Sequence, residues 1–592
     1  MSNFQGDNPL NCNRRDFMKY AGLGAAALSI GGMALSSNAG ATSMSNINSD
    51  EVDTDVLIVG GGVTATFAAV KAREQGVRVT LVDKGYVGRS GLTPNFHGFA
   101  YNDPKVTSPE DWLHGFMWAT EGMTRKDYVD MFLEDSKARW EEISSWVPLE
   151  SSKTGKGPYL RAQIEKSGTQ IIEGVMITEL LEKNGRVVGA IGLPRDEDKA
   201  IIFRAGAVIL CNGAGSFKLP GWPAYPNTFD GQMMAYKLGA QFAGKEWNDF
   251  HGAGPTTSND SPGSQDLKPF RAMQGETAAA SHNLRSIFWT AYDGLSADSD
   301  RGGGEPTIVP GLTGDAEYKG SGRTTTPTDS TAPPARGGRP EASGGRRFVP
   351  GSAIGAGEHR MDGIFPKDDK CWTGVDGLWA AGDAMCTGGV GTAGSSSPGC
   401  AVQAARAAIY AAEYTKQNKK PVLSKTEISN VQQRIFGARS RTKGYSPQWV
   451  TRTLQATMMP YYVLYVKKQD RLEAALTNVL FLKEHFVPRL IAKDPHELRL
   501  ALETENLILN AEMKLRASMF RKESRHSHFR EDFPFRDDKN WLSFVVLQKD
   551  GDKMDVKKWD LPKEWIPASW SNMSYEEKYT YKFPGEAEHL KQ

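Results

Sequence analysis

No CxxC pair, no CxxCH stretch and no closely spaced cysteine cluster occurs in this sequence. Its five cysteines, Cys12, Cys211, Cys371, Cys386 and Cys400, are scattered. That excludes a sulfur-ligated iron cluster and a c-type haem attachment, so any redox cofactor has to be held without thiolate ligands. The chain also lacks an excess of either charge: 71 basic against 70 acidic residues leave a net charge of +1. The electrostatic case for nucleic acid or an acidic membrane as partner is thereby removed. Beyond the first forty or so residues there is no apolar run of the ~18 residues that a spanning helix needs, so no stable membrane insertion is expected. What remains is a chain of 592 residues, long enough for two or three domains.

Residues 55–59, "DVLIV", read as a short buried parallel strand; "GGGVTATFAAVKAREQG" and then "VRVTLVDKG" follow. Strand, glycine turn, helix and second strand make one βαβ unit. Gly60 permits the tight turn, Gly62 lets the backbone approach a pyrophosphate, and Ala65 allows the helix to lie close to the strand. The N–H groups of the helix start then face the phosphates. Asp83 ends the second strand, where an acid takes ribose hydroxyls. Thr64, Lys84, Ser90 and Gly91 are assigned to the same site. Two later apolar strands also run into glycines: "RAGAVILCNGAGSF", reaching Asn212, Gly213 and Gly215, and "DGLWAAGDAM", reaching Gly382 and Asp383. A dinucleotide on an α/β, Rossmann-like sheet is expected.

These segments resemble the fumarate reductase and succinate dehydrogenase flavoprotein family. Further matches are "DGQMMAYKLGAQFAGKEW" from Asp230, similar to the family's "GDG..MA...GA....E", and "RKESRHSHFREDFPFRDDKNW", similar to "ESRGxHxRxDxPxRDDxxW". The resemblance implies FAD, with Gly382-Asp383 at its flavin-proximal part. It implies an FAD-binding domain over 50–245 and 350–420, an inserted α+β capping domain over 246–349, a helical domain over 427–541 and a C-terminal tail over 542–592 that wraps the surface. The helical region is also similar to the adenylylsulfate reductase flavoprotein. Residues 252–347 are rich in Gly, Thr, Ser, Pro and Arg; read without the resemblance they are a solvated loop.

Reduction of an activated C=C needs a hydride, a positive group to polarise the alkene and an acid to protonate the other carbon. Family members supply the last two with His and Arg. Here His251 stands in "DFHGAG", where the family has "HPTG", and His359 with Arg360 in "GEHRMDGI", where it has "HxTMGGI". Aligning Met361 puts Glu358 at the histidine position, so a one-residue shift is assumed in assigning His359. For His251 a neutral hinge histidine and a substrate group stay open. Arg301, flanked by glycines, is the proton-donor candidate among the cap arginines, with a surface arginine as the alternative. The family's "HGANRLGGNSL" carries a carboxylate-gripping Arg, whereas this chain reads "CTGGVGTAGSSSPGCAVQAARAA" and has no Arg before Arg406. Ser396 and Ser397 are expected at the flavin instead, and fumarate is a doubtful substrate. The attachment histidine of the family's "RSHT" is absent from "RSGLTPNFHGF", so FAD should be non-covalent.

The leader "NCNRRDFMKYAGLGAAALSIGGMALSSNAGATS" pairs Arg14 with Arg15 ahead of a small, apolar run and an Ala39-Gly40-Ala41 site. It resembles a twin-arginine signal over 1–41, which implies a periplasmic or extracytoplasmic protein exported folded. The cofactor site uses segments far apart in the chain, so it exists only after folding, and a leader for folded cargo suits it. No second nucleotide fingerprint, haem or cluster motif is present. A separate electron donor, such as a cytochrome c or an iron-sulfur protein, is therefore expected. The leading reading is an FAD-dependent reductase of an enoate with one carboxylate. The alternatives are a flavin-dependent dehydrogenase, a sulfur-oxyanion reductase and a non-catalytic electron-transfer flavoprotein.

Overall fold

The computed structural model describes residues 47–95, 99, 101–105, 107–148, 156–218, 226–249, 355–390, 397–579 and 582–591. The leader, most of the expected cap with His251 and Arg301, and Ser396 lie outside them. The molecule is built on a seven-stranded sheet. Its strands are β1 (Ser49–Val59), β2 (Val79–Asp83), β3 (Gln170–Glu173), β4 (Val175–Lys183), β5 (Arg186–Pro194) and β6 (Ala200–Leu210), in the order β3-β2-β1-β6-β5-β4. β1 lies parallel to both β2 and β6, with Val56 opposite Val79 and Ala207. Its apolar run is fully buried, as a strand covered on both faces requires. The glycine turn leads into helix α1 (Val63–Glu74), the crossover to β2.

Two short strands, β7 (Phe242–Ala243) and β8 (Gly363–Ile364), pair antiparallel, Phe242 with Ile364 and Ala243 with Gly363. Strand β9 (Leu378–Ala380) then returns to the main sheet, parallel to the upper half of β6. The Ala-rich helix α2 (Ser397–Gln417) follows and packs on α1. Its small buried residues, Ala401, Ala404, Ala405 and Ala408, let the two helices approach closely.

Three amphipathic helices form the helical layer: α3 (Pro447–Met458), α4 (Gln469–Phe481) and α5 (Pro495–Phe520). Asp494 caps α5 by accepting from Glu497 N at 2.7 Å. The segment expected only to wrap the surface does more than that. Strand β10 (Ser543–Asp550) pairs with β7 and with β11 (Lys553–Asp560), so the C-terminus completes a second sheet of order β11-β10-β7-β8. The reason is local: Phe544, Val545, Val546 and Leu547 are all buried, whereas β11 alternates toward solvent. Among the described residues no helix is long and apolar enough to cross a membrane.

Candidate functional site

Three distant segments meet where the parallel strands end. At the first, Gly60 has φ +120°, and a Cβ there would stand 2.4 Å from the Cys211 carbonyl oxygen, so the turn tolerates no side chain. Gly62 precedes α1, and the first helical N–H, that of Val63, donates to Thr93 Oγ1 at 3.0 Å. Asp83 is buried against this turn. Burial pushes its carboxyl up, against hydrogen bonds that favour the charge. Its Oδ1 accepts from Gly85 N at 2.6 Å and from Ser90 Oγ at 2.9 Å. Ser90 thus orients the acid. Lys84 departs from its expected role: its amine reaches Asp230 at 2.9 Å, Glu503 at 2.6 Å and Thr228 Oγ1 at 3.1 Å, which uses its three hydrogens. It ties the sheet to α5.

At the second segment, Asn212 Oδ1 is buried with no hydrogen-bond partner among the described residues. Gly213 and Gly91 both lie against the Asn227 amide, and the Gly215 carbonyl accepts from Gly357 N at 2.9 Å. At the third, Gly382 (φ +71°) lies so close to α1 that a Cβ would stand 2.5 Å from Thr64 Oγ1. Its N–H donates to Gln403 Oε1 of α2 at 2.9 Å. Ala65 is fully buried behind this contact, and Ser397 Oγ, at the start of α2, is buried without a partner among the described residues. Orphan polar atoms on Asn212 and Ser397, with glycines that leave the backbone bare, fit a polar, phosphate-bearing cofactor.

Asp383 follows Gly382 into a buried ion cluster. Its Oδ2 lies 3.0 Å from His359 Nδ1, and its Oδ1 lies 3.7 Å from Arg360 Nη1. The other ring nitrogen of His359 lies 3.0 Å from Asp249 Oδ2. Burial works against charge in both groups, yet the partners win: Asp383 is held down at about 2 and His359 is raised to about 10. This corrects the expectation for His359. Both its ring nitrogens meet carboxylates, so its charge joins Asp249 to Asp383 and serves to position them. Arg360 is fully buried, has φ +55° and lies 3.5 Å from Cys400 Sγ. Sequence reasoning missed Asp249, which lies close to His251 in the chain and carries no motif.

The FAD binding domain family matches residues 55–159, and the fumarate reductase flavoprotein C-terminal family matches residues 451–575. A fumarate reductase (CoM/CoB) flavoprotein relative from Methanothermobacter marburgensis is 25% identical over 556 residues, 85% of this chain and 98% of that protein. The chain belongs to the fumarate reductase and succinate dehydrogenase flavoprotein family. Its cofactor is FAD, and it is an FAD-dependent oxidoreductase. Two solved structures share the fold of this flavoprotein. Adenylylsulfate reductase of Archaeoglobus fulgidus has a TM-score of 0.65 at 20% identity, covering 88% of this chain and 97% of its own. Mycobacterium smegmatis Sdh1 in complex with UQ1 has a TM-score of 0.65 at 18% identity, covering 90% and 100%. Gly60, Gly62, Asp83, Asn212, Gly382 and Ser397 are the residues that would hold the FAD. When bound, its flavin supplies hydride-transfer chemistry.

Proposed function

We propose that this flavoprotein is an exported reductase that saturates the activated C=C of a substrate with a single carboxylate, drawing electrons from a separate carrier. The observation that carries the substrate class is the position of its arginines. Arg406, the first arginine after Gly382-Asp383, lies 2.6 Å from Asp135 and 2.9 Å from Asp369, with Glu134 as a third partner. It is spent on structure. Arg360 remains as the cation beside the flavin-proximal glycine edge, where it would take one carboxylate or polarise one carbonyl. A buried carboxylate left without a partner is costly, so a dicarboxylate that buries both ends is disfavoured. The relative named a fumarate reductase supports C=C reduction as the reaction class.

The test is anaerobic reduction of the holoprotein with dithionite, then a screen of alkene oxidants for flavin reoxidation. Cinnamate, with one carboxylate, should reoxidise the flavin well and fumarate poorly. A flavin that fumarate reoxidises best would overturn the reading.

Two further expectations belong to it. Without the family's attachment histidine the FAD is non-covalent, so acid precipitation should leave a colourless pellet and a yellow supernatant. Colour that stays with the polypeptide would point to a covalent link. The Arg14 and Arg15 pair is assigned to the export signal, and lysine keeps the charge while losing the guanidinium plane. A variant with both residues changed to Lys should accumulate in the cytoplasm, folded and yellow. Undiminished export of that variant would remove the twin-arginine assignment.

A further inference from the structure

Glu358, which aligns with the family's histidine, does not stand alone. Its Oε2 accepts from Ser527 Oγ at 2.7 Å and lies 3.4 Å from His526 Nδ1. Among the described residues nothing bonds its Oε1, and the side chain keeps 18% of its exposure while that of His526 keeps 9%. In the family's "ESRGxH" pattern a glycine stands where this chain has His526, and the backbone there still has the φ of +50° that suits glycine. The chain thus carries an acid at the family's histidine position and a histidine at its glycine position, and the fold brings the two together.

The surroundings place the pair at the site. Gly357 bonds to the Gly215 carbonyl and His359 bonds to Asp383, so Glu358 lies between two of the glycine edges of the cofactor cradle. Three of the non-glycine residues with positive φ converge here: Arg360, His526 and Glu121, whose Oε2 accepts from His526 N at 2.8 Å. Strained backbone of this kind persists where its surroundings hold it, and it gathers at functional sites.

We propose that Glu358 and His526 are the proton-delivering pair of this site, with Glu358 facing the substrate and His526 behind it. This rests on the C=C reading. The bound cofactor supplies two electrons and one hydrogen to the alkene, and the second carbon needs a proton. That proton leaves the imidazolium N–H of His526, passes through the Glu358 carboxyl and forms the new C–H bond as the C=C π bond is lost. The pair goes from imidazolium and carboxylate to imidazole and carboxylate, and water returns the proton. Arg360 is left to bind the substrate's negative end.

The groups that face the imidazole are the carboxylates of Glu358 and Glu121 and the Ala119 carbonyl. Glu121 is itself held by Arg536 at 2.6 Å and, at its carbonyl, by Arg525 at 2.6 Å. Burial opposes the charge on His526, but these partners raise its pKa above 6.5.

The test compares wild type with E358Q and H526G. The glycine variant restores a residue suited to the backbone, so it should unfold at or above the wild-type temperature. Both variants should still be reduced by dithionite, while flavin reoxidation by cinnamate slows about 100-fold. The pH limb that reports loss of the imidazolium should be absent in H526G. Independently of turnover, histidine side-chain NMR should show one imidazole that is missing in H526G. Its titration midpoint should fall by about 1–3 units in E358Q. An unmoved midpoint, or wild-type reoxidation in either variant, would overturn the proposal. If no alkene reoxidises the wild-type flavin, the C=C reading and the proton acceptor fail together, and the titration alone still decides whether the couple exists.

Discussion

Replacing Arg360 with methionine is expected to cut cinnamate-dependent flavin reoxidation by about 100- to 1,000-fold, the range found when one stabilising group is removed from a site where charge develops. FAD content should stay near that of the wild type, because the cradle residues on α1, β9 and α2 do not depend on the guanidinium. Methionine matches the length of the side chain and leaves the turn around residues 358–362 filled. Its cost to folding comes from Asp383, which loses one of two cations and keeps His359. Stopped-flow reoxidation beside an FAD-to-protein ratio separates the two effects. Loss of FAD in parallel with rate would mean that Arg360 serves the cofactor; an unchanged rate would remove it from the substrate site altogether.

The second large effect is a change in how stability depends on pH. His359 is raised from 6.5 to about 10 in the folded protein. A raised value means that its contribution is complete below about pH 6.5 and is lost as the pH rises through about 10. Asp383 behaves in the opposite sense. Lowered from 3.8 to about 2, it contributes fully above about pH 4 and loses that contribution as the pH falls through about 2. The cluster of Asp249, His359, Asp383 and Arg360, with Tyr465 facing Asp249, is therefore tightest between about pH 4 and 6.5. Wild type should lose on the order of 2–4 kcal/mol of stability between pH 7 and 10 from this source. The variant H359Q should start lower at pH 6 and lack most of that decline. Thermal unfolding measured at half-unit intervals from pH 6 to 10 checks this, and parallel curves for the two proteins would show that the imidazole carries no such charge.

The βαβ unit could be read from the sequence in nearly final form, because each of its signals is local: a β-branched run, a glycine turn, small helical residues and a terminal acid. The later glycine edges at Asn212 and Gly382 were equally clear, since a buried strand running into glycine needs no tertiary information to be noticed. The roles of His359 and Lys84 were not clear. Both depend on carboxylates from remote segments, Asp249 and Asp383 for the one and Asp230 and Glu503 for the other, and a single sequence does not say which charges will meet. The C-terminal region was misjudged for a related reason. Its strand is hydrophobic on both faces only because β7, which lies some three hundred residues earlier, supplies the edge on which it lies. Glu358 was visible as a departure from a motif, but its partner was hidden inside a segment that otherwise matched its family.

The pairing of β7 with β8 has a consequence for how this protein can change over evolutionary time. Phe242 and Ala243 lead out of the sheet, Gly363 and Ile364 lead back, and the two stretches lie side by side. Everything between them is hung on one stem, with departure and return at the same point of the host. A module attached in this way can be lengthened, shortened or exchanged without rerouting a single strand of the nucleotide-binding sheet. The composition of residues 252–347 is therefore free to drift while the cradle beneath it stays constant. Selection for a new substrate can act on the module and on the few residues at its root, Asp249 and the turn at 358–362, without touching the machinery that holds FAD.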